Sequence, residues 1–398
     1  MLSTVQRVWV GVDVGKAHHW TVAVDHEGRR LLSRKVANDE EAILAMIAAA
    51  CELAVEVRWA VDISSRLSAL LLALLVSHGQ QVVYVPGRTV NRMAGAFAGE
   101  GKTDAKDAQV IADVARMRSG FRLLTTSPEM IHELALLTSC RRDLVSYRVR
   151  MINRLRELLV GICPALEREF EYKSRTGLVL LTGFQTPAAL RRIGVKRLTD
   201  WLLRRKVRSA ADIAERAVMA GRAQQTVLPG EARAARLVAD LAQQILDLDE
   251  RVKQLDAEIT EVLAGDETAE IIQSMPGMGP LLTAELIART GDLSSYRNAG
   301  HLAAHAGIAP VPNDSGRRLN NLHRPTHYDR RLCRIFYLSA QTAMSRPGPS
   351  QEYYRRKRDE GKSHVQAVLS LARRRVDVLW AMSRDRRRYT AVTPTMAA

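Results

Sequence analysis

The stretch Val8-Trp9-Val10-Gly11-Val12-Asp13-Val14 decides the reading of this chain. Its apolar alternation spells a strand, because successive side chains point to opposite faces of a sheet. Asp13 interrupts the pattern. A short acidic side chain competes for backbone hydrogen bonds and is depleted from strands, so an acid at that place needs a compensating partner. Asp62 raises the same question at the end of the run Trp59-Ala60-Val61. Asp104 and Asp107, in Gly101-Lys102-Thr103-Asp104-Ala105-Lys106-Asp107-Ala108, are three residues apart and share one face at the start of an expected helix. A bound divalent cation is the obvious partner for all four, and hard Mg²⁺ prefers oxygen ligands of this kind together with phosphate oxygens. Two cations about 4 Å apart stabilise both the attacking and the leaving oxygen of a phosphodiester, so Asp13, Asp62, Asp104 and Asp107 are expected to hold two Mg²⁺ ions.

Outward from this stretch, the pattern predicts three strands at residues 7–14, 20–25 and 31–36, joined by short polar turns. An amphipathic helix around Glu41 to Ile47 follows, then a strand at 58–63, a leucine-rich helix at 66–78, and a strand at 81–85 stopped by Pro86-Gly87. Three antiparallel strands followed by alternating helices and strands match a ribonuclease-H-like layout. That likeness concerns the fold and leaves the function open.

At 398 residues the chain is expected to form two or three domains. A net charge of +16 spread along the whole length calls for a partner with distributed negative charge, either nucleic acid or an anionic membrane. No apolar run reaches the roughly 18 residues of a membrane span. The N-terminus passes directly into a strand pattern without the apolar core of a signal peptide, which places the protein in the cytoplasm as an expectation. Cys51, Cys140, Cys163 and Cys333 are widely spaced and read as reduced thiols, not as a zinc site. His323 and His327 flank Pro325 with no acid or cysteine to complete a ligand set, which favours nucleic-acid contacts or solvated side chains.

From about residue 127 the pattern becomes helical. Arg141, Arg142, Arg148, Arg150, Arg154 and Arg156 form a basic face, either a solvated surface or, as six arginines against few acids favour, a phosphate-contacting one. Residues 177–205 read as a small helical unit. Val238, Leu241, Ile245, Leu248, Val252, Leu255, Ile259 and Val262 repeat every 3.5 residues on average, which predicts a coiled coil of roughly 37 Å. Such a stripe serves either self-association or a hairpin with an earlier helix of the same chain. In Met275-Pro276-Gly277-Met278-Gly279-Pro280, Gly277 and Gly279 either form a plain tight turn or bring backbone N–H groups to a phosphate. The basic runs Arg355-Arg356-Lys357-Arg358 and Arg373-Arg374-Arg375, near Tyr353, Tyr354 and Trp380, suit phosphate neutralisation and base stacking.

A second reactive candidate lies in Asn313-Asp314-Ser315-Gly316-Arg317-Arg318, where a serine able to attack phosphorus is followed by two arginines able to neutralise the developing charge. Read alone, the segment favours an ordinary turn. The ordered set Val12-Asp13-Val14-Gly15-Lys16, Asp62, Gly101 to Ala108, Pro276-Gly277-Met278-Gly279, Gly307-Ile308-Ala309-Pro310 and Ser315-Gly316 closely resembles the DEDD transposases of the IS-one-ten insertion-sequence family. The resemblance covers both ends of the chain and most of its length. It implies a RuvC-like domain (residues 1–126), a basic helical region with a coiled coil (127–265), and a mainly helical C-terminal transposase domain (266–398). It assigns metal binding to Asp13, Asp62, Asp104 and Asp107 and nucleophilic attack to Ser315. It further implies a covalent phosphoserine intermediate, a bridge RNA that pairs with donor and target DNA, and dimers that assemble into a tetramer with composite sites. Lys16, Lys102, Arg148, Gly277, Gly279, Arg317, Arg318 and Arg374 are the residues expected to meet nucleic acid. The second acid is usually glutamate in that family and is Asp62 here, one methylene shorter; residues 166–231 also look longer than in compact members. Two other readings stand beside this one: a RuvC-like nuclease that hydrolyses branched DNA with water, and a nucleic-acid-binding protein without catalysis.

Overall fold

The strand that opens the chain, β1 (Val5–Asp13), lies inside a six-stranded sheet of order β3-β2-β1-β4-β5-β6. In the computed structural model the described residues are 5–62, 66–94, 103–118, 121–124, 129–291, 293, 296–312, 322–323 and 325–390. The chain divides into two compact units, residues 1–127 and 128–398.

In the first unit β1, β2 (His18–Val24) and β3 (Arg30–Ala37) form the antiparallel meander expected from the sequence. Helix α1 (Glu40–Cys51) begins where Asp39 accepts a hydrogen bond from the Ala42 amide at 2.9 Å, an N-cap that satisfies one of the free amides of the first turn. It leads into β4 (Ala54–Val61), which pairs in parallel with β1, and a crossover through α2 (Ala69–Ser77) leads to β5 (Gln81–Tyr84), parallel to β4. Two elements escaped the sequence reading. Helix α3 (Gly87–Ala94) starts at the Pro86-Gly87 pair read there as a stop, and β6 (Arg122–Leu124), antiparallel to β5, is only three residues long. Helix α4 (Asp104–Met117) lies between them in sequence.

The sheet has two buried faces. Val8, Val10, Val12, Trp59 and Val61 pack with Ile43, Met46, Leu71 and Leu75 of α1 and α2. The opposite face carries Ala60, which packs with Val110, Ile111 and Val114 of α4, and Val22 and Val24, which pack with Ala108 and Ala112. Gly11 makes the close approach of α4 possible. A Cβ there would sit 2.1 Å from the Ala108 carbonyl oxygen, so only glycine lets the helix backbone rest on the strand.

The second unit contains α5 (Glu129–Val160), α6 (Pro164–Glu169), α7 (Arg175–Gly183), α8 (Pro187–Arg204), α9 (Ala210–Arg222) and α10 (Glu231–Val262). After α11 (Glu267–Gln273), α12 (Pro280–Thr290) and α13 (Ala299–His305) comes a small ribbon of β7 (Val311–Pro312) and β8 (Leu322–His323). Helices α14 (Arg330–Met344), α15 (Pro349–Asp359) and α16 (His364–Arg384) follow.

Two hydrophobic cores form within this unit. One joins Leu155, Leu159, Leu178, Leu190, Ala214 and Val238, from α5 and α7 to α10. The other joins Leu134, Ile259, Leu286, Phe336, Leu371 and Leu379, from α5, α10, α12, α14 and α16. Helices α5 and α10 serve both cores, and ion pairs Arg141–Asp256 and Arg148–Asp249 link them in between. The partner number falls by seven as the arginine number rises by seven, so the two helices run antiparallel.

The regular stripe on α10 is therefore used within the chain. Val238, Ile245, Leu255 and Ile259 are buried, while Leu241, Leu248, Val252 and Val262 are partly buried. Of the two uses open to it in the sequence, the hairpin with an earlier helix accounts for this packing.

Candidate functional site

Register brings the first two acids together. Val12 of β1 pairs with Val61 of β4 in parallel, so Asp13 and Asp62 are the next residues along two neighbouring strands. Alternation sets their face. Gly11 and Ala60, two residues earlier on each strand, meet α4, so Asp13 and Asp62 follow on that same face. The first turn of α4 brings Asp107 within electrostatic reach of Asp62. Thr103 caps this helix by accepting from the Lys106 amide at 3.3 Å, and Asp104 and Asp107 lie where a helix N-terminus favours negative charge.

The four acids differ in environment. Asp104 is exposed, whereas Asp13, Asp62 and Asp107 are half-buried. Asp62 Oδ1 is buried and makes no hydrogen bond among the described residues. Burial chiefly pushes the Asp62 acid above its ordinary range; a backbone hydrogen bond opposes it in part, and the nearby Asp107 carboxylate adds a lesser upward push. Among the described residues, no three His, Cys, Asp or Glu side chains converge closely enough to chelate an ion, so the expected four-acid cluster is not closed. Like charges repel, and only a cation would offset that repulsion at close range. A buried, orphaned carboxylate oxygen with a second carboxylate in electrostatic reach is nevertheless the environment in which a hard divalent ion fits, with Asp62 and Asp107 as its nearest holders.

Two neighbours of Asp62 carried no signal in the sequence. Burial and the Asp62 charge raise the Tyr84 hydroxyl above its ordinary range, and a Cβ on Gly87 would lie 3.8 Å from Asp62 Oδ2. Both arrive through β5 and α3, and a strand end followed by Pro-Gly marks nothing more than a break.

The residues expected to meet nucleic acid divide. Lys16 is exposed in the turn after β1, where its backbone carbonyl accepts from Asn38 Nδ2 at 3.1 Å. Lys102, Ser315, Arg317 and Arg318 lie outside the described residues; the last three fall in the sequence between β7 and β8. Arg148 differs from the expectation. Its guanidinium pairs with Asp249 and donates to the Lys173 carbonyl at 2.9 Å, so it serves the α5–α10 contact instead of a phosphate. Arg141 and Arg156 are likewise bound to Asp256 and Glu167. Arg142 pairs with Asp143 at 3.7 Å and donates to Ser139 Oγ at 2.8 Å. Among the described residues, the cations of α5 without an ion pair narrow to Arg150, which lies over the Tyr147 ring at 5.6 Å, and Arg154.

Gly277 is also used within the protein. At φ +83° it takes a left-handed turn, and a Cβ would sit 2.5 Å from the Ser339 carbonyl oxygen of α14. Met275 and Met278 on either side are buried, which favours the tight-turn alternative for Gly277. Gly279 is exposed with open space around it, at the N-cap of α12. In the basic run of α16, Arg373 pairs with Asp377, and Arg375 is buried against Ser339 Oγ and the Pro276 carbonyl. Burial lowers Arg375 to about 10. Arg374, between them, is exposed.

A further basic group was not foreseen. Partial burial and then the charges of Arg142 and Arg289 lower Arg331 from its ordinary value, which brings α5, α12 and α14 to one place. Asp329 there accepts from Arg289 and caps α14 through the Arg331 and Leu332 amides at 2.9 and 3.0 Å. Single arginines scattered over three helices leave no spacing from which to foresee this.

Comparison with known proteins fits this geometry. A family model described as a transposase, of the DEDD group of IS110, matches residues 10–164, the stretch that holds all four acids. A second, described as a transposase of the IS116/IS110/IS902 family, matches residues 269–355. The chain is 64% identical to the 44.8 kDa protein of insertion element IS116 from Streptomyces clavuligerus over 98% of its own length and 97% of that protein. It is 50% identical to the 42 kDa protein of insertion element IS900 from Mycobacterium paratuberculosis, over 99% of this chain and all of the other. A transposase for insertion sequence element IS1111A from Coxiella burnetii is 25% identical over 54% of this chain and 48% of its own.

Proposed function

The chain belongs to the IS110/IS116 family of insertion-sequence transposases, and on that premise we propose that it cuts and rejoins DNA with Ser315 as nucleophile and Asp13, Asp62, Asp104 and Asp107 as holders of Mg²⁺. Membership in a transposase family makes the chain a DNA-acting enzyme, and the DEDD group implies use of a divalent metal. No helix among the described residues is long and apolar enough to cross a membrane.

The observation that carries the metal reading is the in-register placement of Asp13 beside Asp62 under the first turn of α4, with Asp62 Oδ1 orphaned and Asp107 close enough to raise its acid. A divalent ion held there supplies charge stabilisation to a phosphodiester oxygen. Meanwhile Ser315 Oγ forms a bond to phosphorus as the bond to the leaving sugar oxygen breaks, and a sugar hydroxyl of the second strand later reverses the exchange. Arg317 and Arg318 offset the charge that develops on the phosphate. The phosphodiester is conserved through the serine linkage, so rejoining needs no outside energy source. We read the first unit as RuvC-like and the second as two working parts, residues 127–265 and 266–398. Guidance by a bridge RNA, and dimers joining as a tetramer around composite sites, rest on the family resemblance.

The test is strand exchange on a plasmid carrying the element ends, supplied with the flanking non-coding RNA. Asp62→Asn and Asp107→Asn are expected to lower it by about a hundredfold or more, the scale of losing a principal electrostatic contribution. Full exchange by either variant in Mg²⁺ would remove the acids from the reaction. Cleaved ends free of protein would favour the hydrolytic nuclease, and binding without cleavage of any DNA would favour a non-catalytic role.

A further inference from the structure

The C-terminal part of the second unit holds a cavity of about 660 Å³ to which neither the acids nor Ser315 gives a role. It lies between α15, α16 and the segment after α16. Its lining mixes apolar and aromatic side chains, Met275, Val378, Met382, Tyr353 and Tyr389, with the cations Arg356, Arg374, Arg375, Arg387 and Arg388 and the single acid Glu352. Arg388 is engaged by Glu270, and Arg387 lies 3.4 Å from Asp385. Arg356 lies over the Tyr353 ring at 5.0 Å. Arg374 is exposed and makes no ion pair among the described residues.

The segment after α16 closes one wall as a strap. Arg386 and Arg388 pair with Glu267 and Glu270 of α11, and the Tyr389 amide donates to Ser274 Oγ at 2.8 Å. Exposed ion pairs of this kind contribute little individually, so the strap can lift without unfolding the core beneath it.

We propose that this cavity receives one unpaired nucleotide of a nucleic-acid strand, its base against Tyr353 and the methionines and its phosphate on Arg374. The inference rests on the nucleic-acid reading above and names a subsite for it. Three features favour a nucleotide over a bare anion or an apolar ligand. Aromatic rings in the lining suit a base, because every base has a face to stack. A free guanidinium in the same lining suits the attached phosphate. The volume falls within the roughly 300–1,000 Å³ of small-ligand pockets. A base stacked inside a duplex cannot enter a concave site, so the nucleotide must be single-stranded or turned out of its helix.

The test uses the full-length chain carrying Ser315→Ala, which removes cleavage, and a short single-stranded DNA with one 2-aminopurine. The parent is expected to quench the probe and to bind the single strand in preference to a blunt duplex of the same sequence. Arg374→Gln is expected to weaken single-strand binding about tenfold, the scale of one charge-assisted contact. Tyr353→Leu is expected to abolish the quenching while duplex binding stays unchanged. An RNA strand of the same sequence distinguishes the source of the nucleotide, since loss in both variants supports the cavity for whichever strand binds more tightly. Unchanged single-strand binding and quenching in both variants, or equal competition by the duplex, would overturn the proposal. Failure here with strand exchange intact removes the cavity alone; dependence on Arg374 and Tyr353 in a chain without strand exchange leaves the cavity standing.

Discussion

Asp62 concentrates the account into one side chain. Its folded-state acid lies above the ordinary carboxylate range, chiefly through burial and then through Asp107. A raised acid contributes stability that is fully present below about pH 3.9, the ordinary Asp value, and is lost as pH rises through the elevated one. At neutral pH without metal, the ionised Asp62 therefore weakens the first unit. Asp62→Asn is expected to melt at a higher temperature than the parent in EDTA, and Mg²⁺ is expected to raise the melting temperature of the parent alone. A lower melting temperature for the variant in EDTA would contradict this. Asp13 and Asp62 stood out in the sequence because each interrupts or ends a strand pattern in which an acid is misplaced, and Asp104 and Asp107 because their spacing of three puts both on one face at a helix start. Tyr84 and Gly87 did not, since their nearness to Asp62 depends on how β5 and α3 return to the sheet. Gly277 could be recognised as a turn glycine, but its reason, the approach of α14, lies more than sixty residues away.

Helix-scale reading succeeded where periodicity alone decides and stopped where a partner had to be chosen. The 3.5-residue repeat located α10, but the same stripe fits a second copy or an earlier helix of the chain, and the antiparallel pairing with α5 emerges only in three dimensions. That pairing makes a quantitative prediction. A double-mutant cycle of Arg148→Ala and Asp249→Ala, read by chemical denaturation, is expected to give a coupling of about 0.5–1 kcal/mol, toward the upper range of exposed pairs because both side chains are partly covered. A coupling of zero would contradict the contribution assigned to this pair. Asp329 offers a pH-dependent counterpart. Burial opposes its charge, but the Arg289 contact and the cap amides more than offset this and hold its acid below the ordinary range. Its stabilisation is present above the ordinary Asp value and is lost as pH falls through the depressed one. Asp329→Ala is expected to cost about 1–2 kcal/mol, the scale of losing a helix cap. It should also flatten the acid limb of the stability profile, which thermal melts across pH 3 to 7 would show.

For the whole molecule, the charge of +16 correctly signalled an anionic partner but not which cations would be left to meet it. Arg141, Arg148, Arg156 and Arg375 are bound within the fold, while Arg374 remains exposed. A face of arginines in a sequence thus counts charges without subtracting those that partner acids in distant helices neutralise. The acids belong to the first unit, whereas Ser315 belongs to the second, so the proposed chemistry requires the two to act on one phosphate, within a chain or across copies. The central claim is the covalent serine linkage. Labelled element-end DNA incubated with the full-length chain, Mg²⁺ and the flanking RNA, then resolved under denaturing conditions, is predicted to yield a protein–DNA adduct whose attachment maps to Ser315. That adduct should vanish in Ser315→Ala and fall sharply in Asp107→Asn or in EDTA. An undiminished adduct in Ser315→Ala, or cleaved ends with no adduct in the parent, would contradict the account.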